Sequence, residues 1–142
     1  KELKGQGLQN LQLFDLGMAA PDPFITGENT EIISQMKTIS TWYPVNEKNQ
    51  NTAKFITNYQ QRFGHKPQPY AAFSYDALMM IAEAMTKCSP STTNFRDCIA
   101  DNLLKIQKRP GAAGVGLMDS DGDFELPIGL VQQQNGNWVF LE

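Results

Sequence analysis

The stretch from Tyr70 to Lys87, YAAFSYDALMMIAEAMTK, constrains this chain more than any other. Read as a helix, it places Asp76, Glu83 and Lys87 on one narrow stripe, and nearly every other position is apolar. Such a helix needs cover over most of its circumference. Its Met and aromatic residues read as ordinary core material. The flanking sequence offers few strands to supply that cover, so part of the fold is expected to lie outside these 142 residues.

Two more helices follow from apolar spacing. In Asn49–Gly64, Phe55, Ile56, Tyr59 and Phe63 recur at helical intervals, with Asn51 as the expected cap and Gly64 and Pro67 as stops. In Asn94–Ile106, Phe95, Cys98, Ile99 and Leu103 share a face, and Asn94 with Asp97 suggests a capping box. Leu11–Phe14 and Lys37–Pro44 read as strands, with Pro44 as a stop. Residues 7–10 resemble a helix end, and Thr30–Met36 one or two helical turns. Near the C-terminus, KRPGAAGVG reads as a loop. The run DSDGDFELP has the glycine of a calcium loop in the wrong place and Leu130 where a bidentate acid is required. It reads instead as a hairpin tip between Val115–Met118 and Leu126–Gln132. Asn135–Gly136 marks a second tight turn before a closing strand. Mixed strands and helices make the class α/β or α+β.

The remaining chemistry is sparse. The net charge of −3, without a basic block, argues against a nucleic-acid surface. No apolar run is long enough to span a membrane. The chain begins Lys-Glu-Leu, without Met, and reads as a mature protein, a trimmed one or a piece of a longer one. Two cysteines and one histidine are too few for a zinc site, so no metal is expected. Cys88 and Cys98 read either as a disulfide in an exported protein or as two inert thiols in a cytosolic one. The glycines of GAAGVG do not have dinucleotide-binding spacing, and no cofactor is expected. Asp97 and Asp101 read as solvated, His65 as a loop residue, and no nucleophile has a catalytic context, so the chain is not expected to be an enzyme. Trp42 and Tyr43 end a strand, and Tyr70 opens a helix. Ligands of α/β proteins gather at such ends, which makes these three candidates for binding, with core packing as the competing role.

Four motifs in order, FITNYQQRFGHKP, YAAFSYDA, GVGLMDSDGD and NGNW, resemble the C-terminal half of the periplasmic binding proteins of ABC transporters, of the branched-chain amino-acid type. The likeness covers nearly all of the chain, and it departs at Met118, where the family usually carries an aromatic. It implies a type I fold of two α/β lobes joined by three crossover strands. Residues 1–43 and 125–142 would belong to the second lobe, and 44–124 would complete the first, whose opening strands are absent from the chain. The resemblance further implies a small polar solute, commonly an amino acid, trapped between the lobes and delivered to a membrane permease. Asp15 is then the expected partner of a ligand ammonium, and Tyr70 the expected aromatic cover, while Trp42 and Tyr43 lie near a lobe crossing. The compartment would be periplasmic, or the cell surface through a lipid anchor, and Cys88–Cys98 would form a disulfide. Two other roles use the same scaffold: a ligand-sensing regulatory domain, such as an amide sensor, and a non-ligand interaction protein of the cell envelope.

Overall fold

The computed structural model describes residues 12–16, 36–40, 49–91, 93–134 and 137–141. The chain is α/β and divides into two compact units. One comprises Lys1–Ser40 with Gly129–Glu142, the other Thr41–Ile128.

The first unit holds a four-stranded sheet in the order β1-β2-β6-β7. Strand β1 (Phe14–Asp15) runs parallel to β2 (Lys37–Ser40), which pairs antiparallel with β6 (Gly129–Gln134), and β6 with β7 (Asn137–Phe140). Thr38 and Val131 face each other across β2 and β6, and both are fully buried. The expected first strand ends later than Leu11–Phe14 suggests, at Asp15. The extension of β2 toward Pro44, the helical readings before Leu11 and at 30–35, and the Asn135–Gly136 turn lie outside the described residues. The pairing Gln134↔Asn137 nonetheless makes β6 and β7 a hairpin.

Among the described residues, the second unit has three helices and a three-stranded sheet. Helix α1 (Gln50–Phe63) is capped by Asn49, whose side-chain oxygen accepts from the Asn51 N–H at 3.0 Å. The expected cap, Asn51, is otherwise engaged, donating to the Pro110 carbonyl at 3.2 Å. Gly64 closes the helix at φ +77°, a left-handed conformation that costs glycine little, and its N–H bonds the Gln60 carbonyl. Helix α2 (Pro69–Thr86) starts with proline in its first turn, where a missing N–H loses nothing. Helix α3 (Phe95–Leu103) lacks the expected capping box. Asn94 has ψ 55°, outside the extended conformation that brings a cap oxygen over the first N–H groups.

The stretch read as a loop contains two strands. β3 (Arg109–Gly111) and β4 (Gly114–Met118) form a hairpin through Ala112 and Ala113, and Pro110 is tolerated because β3 is an edge strand. β4 turns at Asp119–Asp123 and pairs with β5 (Phe124–Glu125). The aspartate run is therefore a hairpin tip, but its second strand is Phe124–Glu125 and not Leu126–Gln132. Pro127 carries no N–H to continue the ladder, and the chain beyond it joins the other sheet. Asp119 Oδ1 accepts the N–H groups of Asp121 and Asp123 at 2.9 and 2.8 Å, so this carboxylate shapes the turn. Ala72, Ala112 and Ala113 form the core of the unit, with Phe55, Ile56, Phe73 and Leu126 packed against them.

Candidate functional site

Asp15 stands at the carboxyl end of β1, directly opposite Thr38 on β2. Because the two strands are parallel, both run out at the same edge of the sheet, the edge at which α/β proteins place ligands. The Thr38 hydroxyl donates to Asp15 Oδ2 at 2.8 Å. Thr38 is fully buried and Asp15 half-buried, so the hydroxyl fixes one oxygen of a carboxylate on a partly covered residue. A carboxylate held in this way can accept hydrogen bonds from a cation at little further cost in side-chain entropy. Asp15 is expected only from the family resemblance, and Thr38 is not singled out. The only available signal was its place in a β-branched strand.

Tyr70 is the second residue of α2 and is 63% exposed, its ring edge-on to Phe73 with centroids 6.3 Å apart. Gln68 precedes the helix without making a side-chain cap, so α2 begins with an aromatic face and uncapped helix geometry directed outward. Asp15 and Tyr70 belong to different units and each is placed within its own. Trp42 and Tyr43 lie outside the described residues.

The most elaborate polar arrangement involves a residue assigned no role on sequence grounds. Asp76 is only 4% exposed, and its carboxylate accepts the N–H groups of Ala112 at 2.8 Å and Ala113 at 2.7 Å. The Arg109 guanidinium lies 3.5 Å from it and reaches Glu83 at 3.6 Å. Glu83 also pairs with Lys87 at 3.2 Å. The hydrogen bond from Lys87, with the positive charges of Lys87 and Arg109, holds the Glu83 carboxyl below its ordinary range against the opposing effect of desolvation. Asp76 thus faces inward onto the β3–β4 turn while Glu83 and Lys87 stay exposed, as do Tyr70, Leu78, Ile81 and Met85. An acid inside an otherwise apolar helix was the signal for this arrangement. A disulfide joins Cys88, just past α2, to Cys98 on α3, and Asn102 Nδ2 donates to the Cys98 carbonyl at 2.8 Å.

A groove of about 610 Å³ opens between α1, α2 and β3, walled by Phe55, Tyr59, Tyr75 and Met79. Asp76 and Arg109 at its floor are already bonded to one another, so it offers chiefly apolar contact, the chemistry of packing. Among the described residues, no three His, Cys, Asp or Glu side chains converge on a metal position. No helix among them is long and apolar enough to cross a membrane.

The periplasmic binding protein family model matches residues 1–137, and the chain belongs to that family. No curated protein sequence matches significantly. Solved structures agree on the fold. The branched-chain amino acid transporter substrate binding protein LivJ from Streptococcus pneumoniae, in complex with isoleucine, matches with a TM-score of 0.77 at 21% identity, over 99% of this chain and 40% of that one. The leucine binding protein LivK from Thermotoga maritima matches with a TM-score of 0.72 at 23% identity, over 99% and 39%. A solute binding protein of an ABC transporter from R. palustris, in complex with benzoate, matches with a TM-score of 0.74 at 14% identity, over 99% and 38%. The fold is therefore that of periplasmic binding proteins of type I, and the chain spans about two fifths of the length of these three structures.

Proposed function

We propose that this chain is part of an extracytoplasmic solute-binding protein of an ABC importer. In this reading it takes up an amino acid or similar small polar solute and delivers it to a membrane permease, without catalysing a reaction. The observation that carries the reading is the family match across residues 1–137. The S. pneumoniae neighbour holds isoleucine and the R. palustris neighbour benzoate, so the scaffold alone does not choose an ammonium-bearing ligand. Asp15 favours one. Its carboxylate, fixed by Thr38 at the ligand-bearing edge of a parallel strand pair, suits an ammonium group. The exposed Tyr70 ring at the start of α2 suits apolar cover for the same solute.

The lobe assignment is part of the proposal: residues 1–43 and 125–142 in one lobe, and 44–124 in the other. The two compact units support it. The exposed apolar stripe of α2 supports a first lobe completed by sequence outside this chain. The Cys88–Cys98 disulfide favours an oxidising compartment, the periplasm or the cell surface.

Calorimetric titration of the full-length protein with its solute tests the site. Asp15→Asn removes the charge but keeps the shape, and is expected to weaken binding at least tenfold, the scale of a lost charge-assisted hydrogen bond of about 1.5–3 kcal/mol. Tyr70→Ala is expected to weaken binding with little change in melting temperature. Unchanged affinity in both variants would remove these residues from the site.

A further inference from the structure

The turn between β3 and β4 is gripped on both of its polar sides. Its N–H groups, at Ala112 and Ala113, go to the two oxygens of Asp76 in the middle of α2. Its carbonyls go to the start of α1: Asn51 Nδ2 donates to Pro110 O at 3.2 Å, and Asn49 Nδ2 lies 3.5 Å from Gly111 O. Asn49 is also the cap of α1, accepting the Asn51 N–H. Four successive backbone residues therefore tie the middle of one helix to the first turn of another.

The chemistry of each contact assigns a direction to this tie. Asp76 is a buried carboxylate, and a buried charge persists only when donors replace the water it has lost. Accepting two adjacent backbone N–H groups fixes the peptide planes of the turn. The Ala112 N–H shares a peptide plane with the Gly111 carbonyl, so fixing the one fixes the carbonyl that Asn49 reads, and the Pro110 carbonyl read by Asn51 lies one plane earlier. Gly111 fits this close approach because it has no side chain: a Cβ there would overlap the Asp76 carboxylate. The asparagines that read the carbonyls have partly or fully exposed side chains, so the buried acid is the rigid end and the α1 start the dependent end.

We propose that residues 110–113 form a bracket that sets the position of the first turn of α1 from the middle of α2, with Asp76 as its positioning residue. The second unit begins at Thr41, and α1 is its first helix among the described residues. In the two-lobed reading the bracket anchors a crossing point, and that consequence alone rests on the proposed function.

Amide hydrogen exchange on the full-length protein tests the bracket without any solute, which separates its failure from failure of the transport reading. Asp76→Asn turns one acceptor into a donor facing a backbone N–H. Exchange at Ala112 and Ala113 is expected to rise about tenfold or more, and exchange at Ala53, whose N–H bonds Asn49 O, to rise with it. Gly64, at the far end of α1, is expected to stay protected. The coupling must also run in reverse. Asn51→Ala, at an exposed position, is expected to raise exchange at Ala112 and Ala113. In that background Asp76→Asn is expected to raise exchange at Ala53 by less than it does alone, because only the Asn49 contact to Gly111 remains. Exchange confined to 112–113 in Asp76→Asn, a uniform rise across α1 and α2, or no response to Asn51→Ala would each overturn the bracket.

Discussion

Glu83 shows how a surface charge is tuned by its neighbours. Its carboxyl is held low chiefly by the Lys87 hydrogen bond and then by the nearby positive charges. A carboxyl whose folded pKa is depressed contributes stability above its unfolded pKa of about 4.3, and loses it as pH falls through the lower folded value. The Glu83 side chain is 46% exposed, so solvent screening limits this contribution to below about 1 kcal/mol. Glu83→Gln is expected to cost a small amount of stability in urea unfolding at pH 7 and nothing at a pH acidic enough to protonate the carboxyl in the folded state as well. An equal cost at both pH values would show that shape, not charge, is responsible. Asp76, two turns earlier on the same stripe, is buried and has a structural role. The same carboxylate chemistry serves two ends because one accepts buried backbone N–H groups and the other is largely open to water.

At the scale of elements, the disulfide substitutes for packing. Helix α3 contains no fully buried residue, and Cys88–Cys98 joins it to the end of α2. Closing a loop of about ten residues removes roughly 2–3 kcal/mol of denatured-state entropy. Replacing both cysteines with serine is expected to lower stability by that amount, measured by chemical denaturation. A loss below about 0.5 kcal/mol would contradict the role. How far these elements were legible depended on the range of the forces that make them. Helices α1 and α2 are set by local apolar spacing, proline and glycine, and their bounds fall within a residue or two of the periodicity. Strand β3 was not legible, because Arg-Pro-Gly has no strand pattern and pairs only because Asp76, more than thirty residues earlier, holds its turn. The same applies to Thr38, whose role appears only when β1 aligns beside it. The partner of β4 was misread because Pro127 interrupts an apolar run that looked continuous.

At the scale of the molecule, the open apolar surface of α2 is the informative feature. Its buried positions are Ala72, Asp76, Met80 and Ala84, while Leu78, Ile81 and Met85 are exposed, more apolar surface than a finished solvent-facing helix leaves open. In the proposed first lobe, further sequence covers that surface. Leu78→Glu in the full-length protein is then expected to cost about 2 kcal/mol or more, the scale of placing a charge in a buried apolar contact. A change within about 0.5 kcal/mol, typical of an open surface, would show that nothing packs there.

The central claim is solute capture, and a thermal-shift screen of the full-length protein tests it most directly, using amino acids, amides, small carboxylates and urea. A ligand present at about 1,000 times its dissociation constant adds roughly 4 kcal/mol of stability. The account predicts a melting temperature raised by several degrees by one or more amino acids, with the shift reduced in Asp15→Asn. A well-folded protein unmoved by every compound in the panel would contradict it.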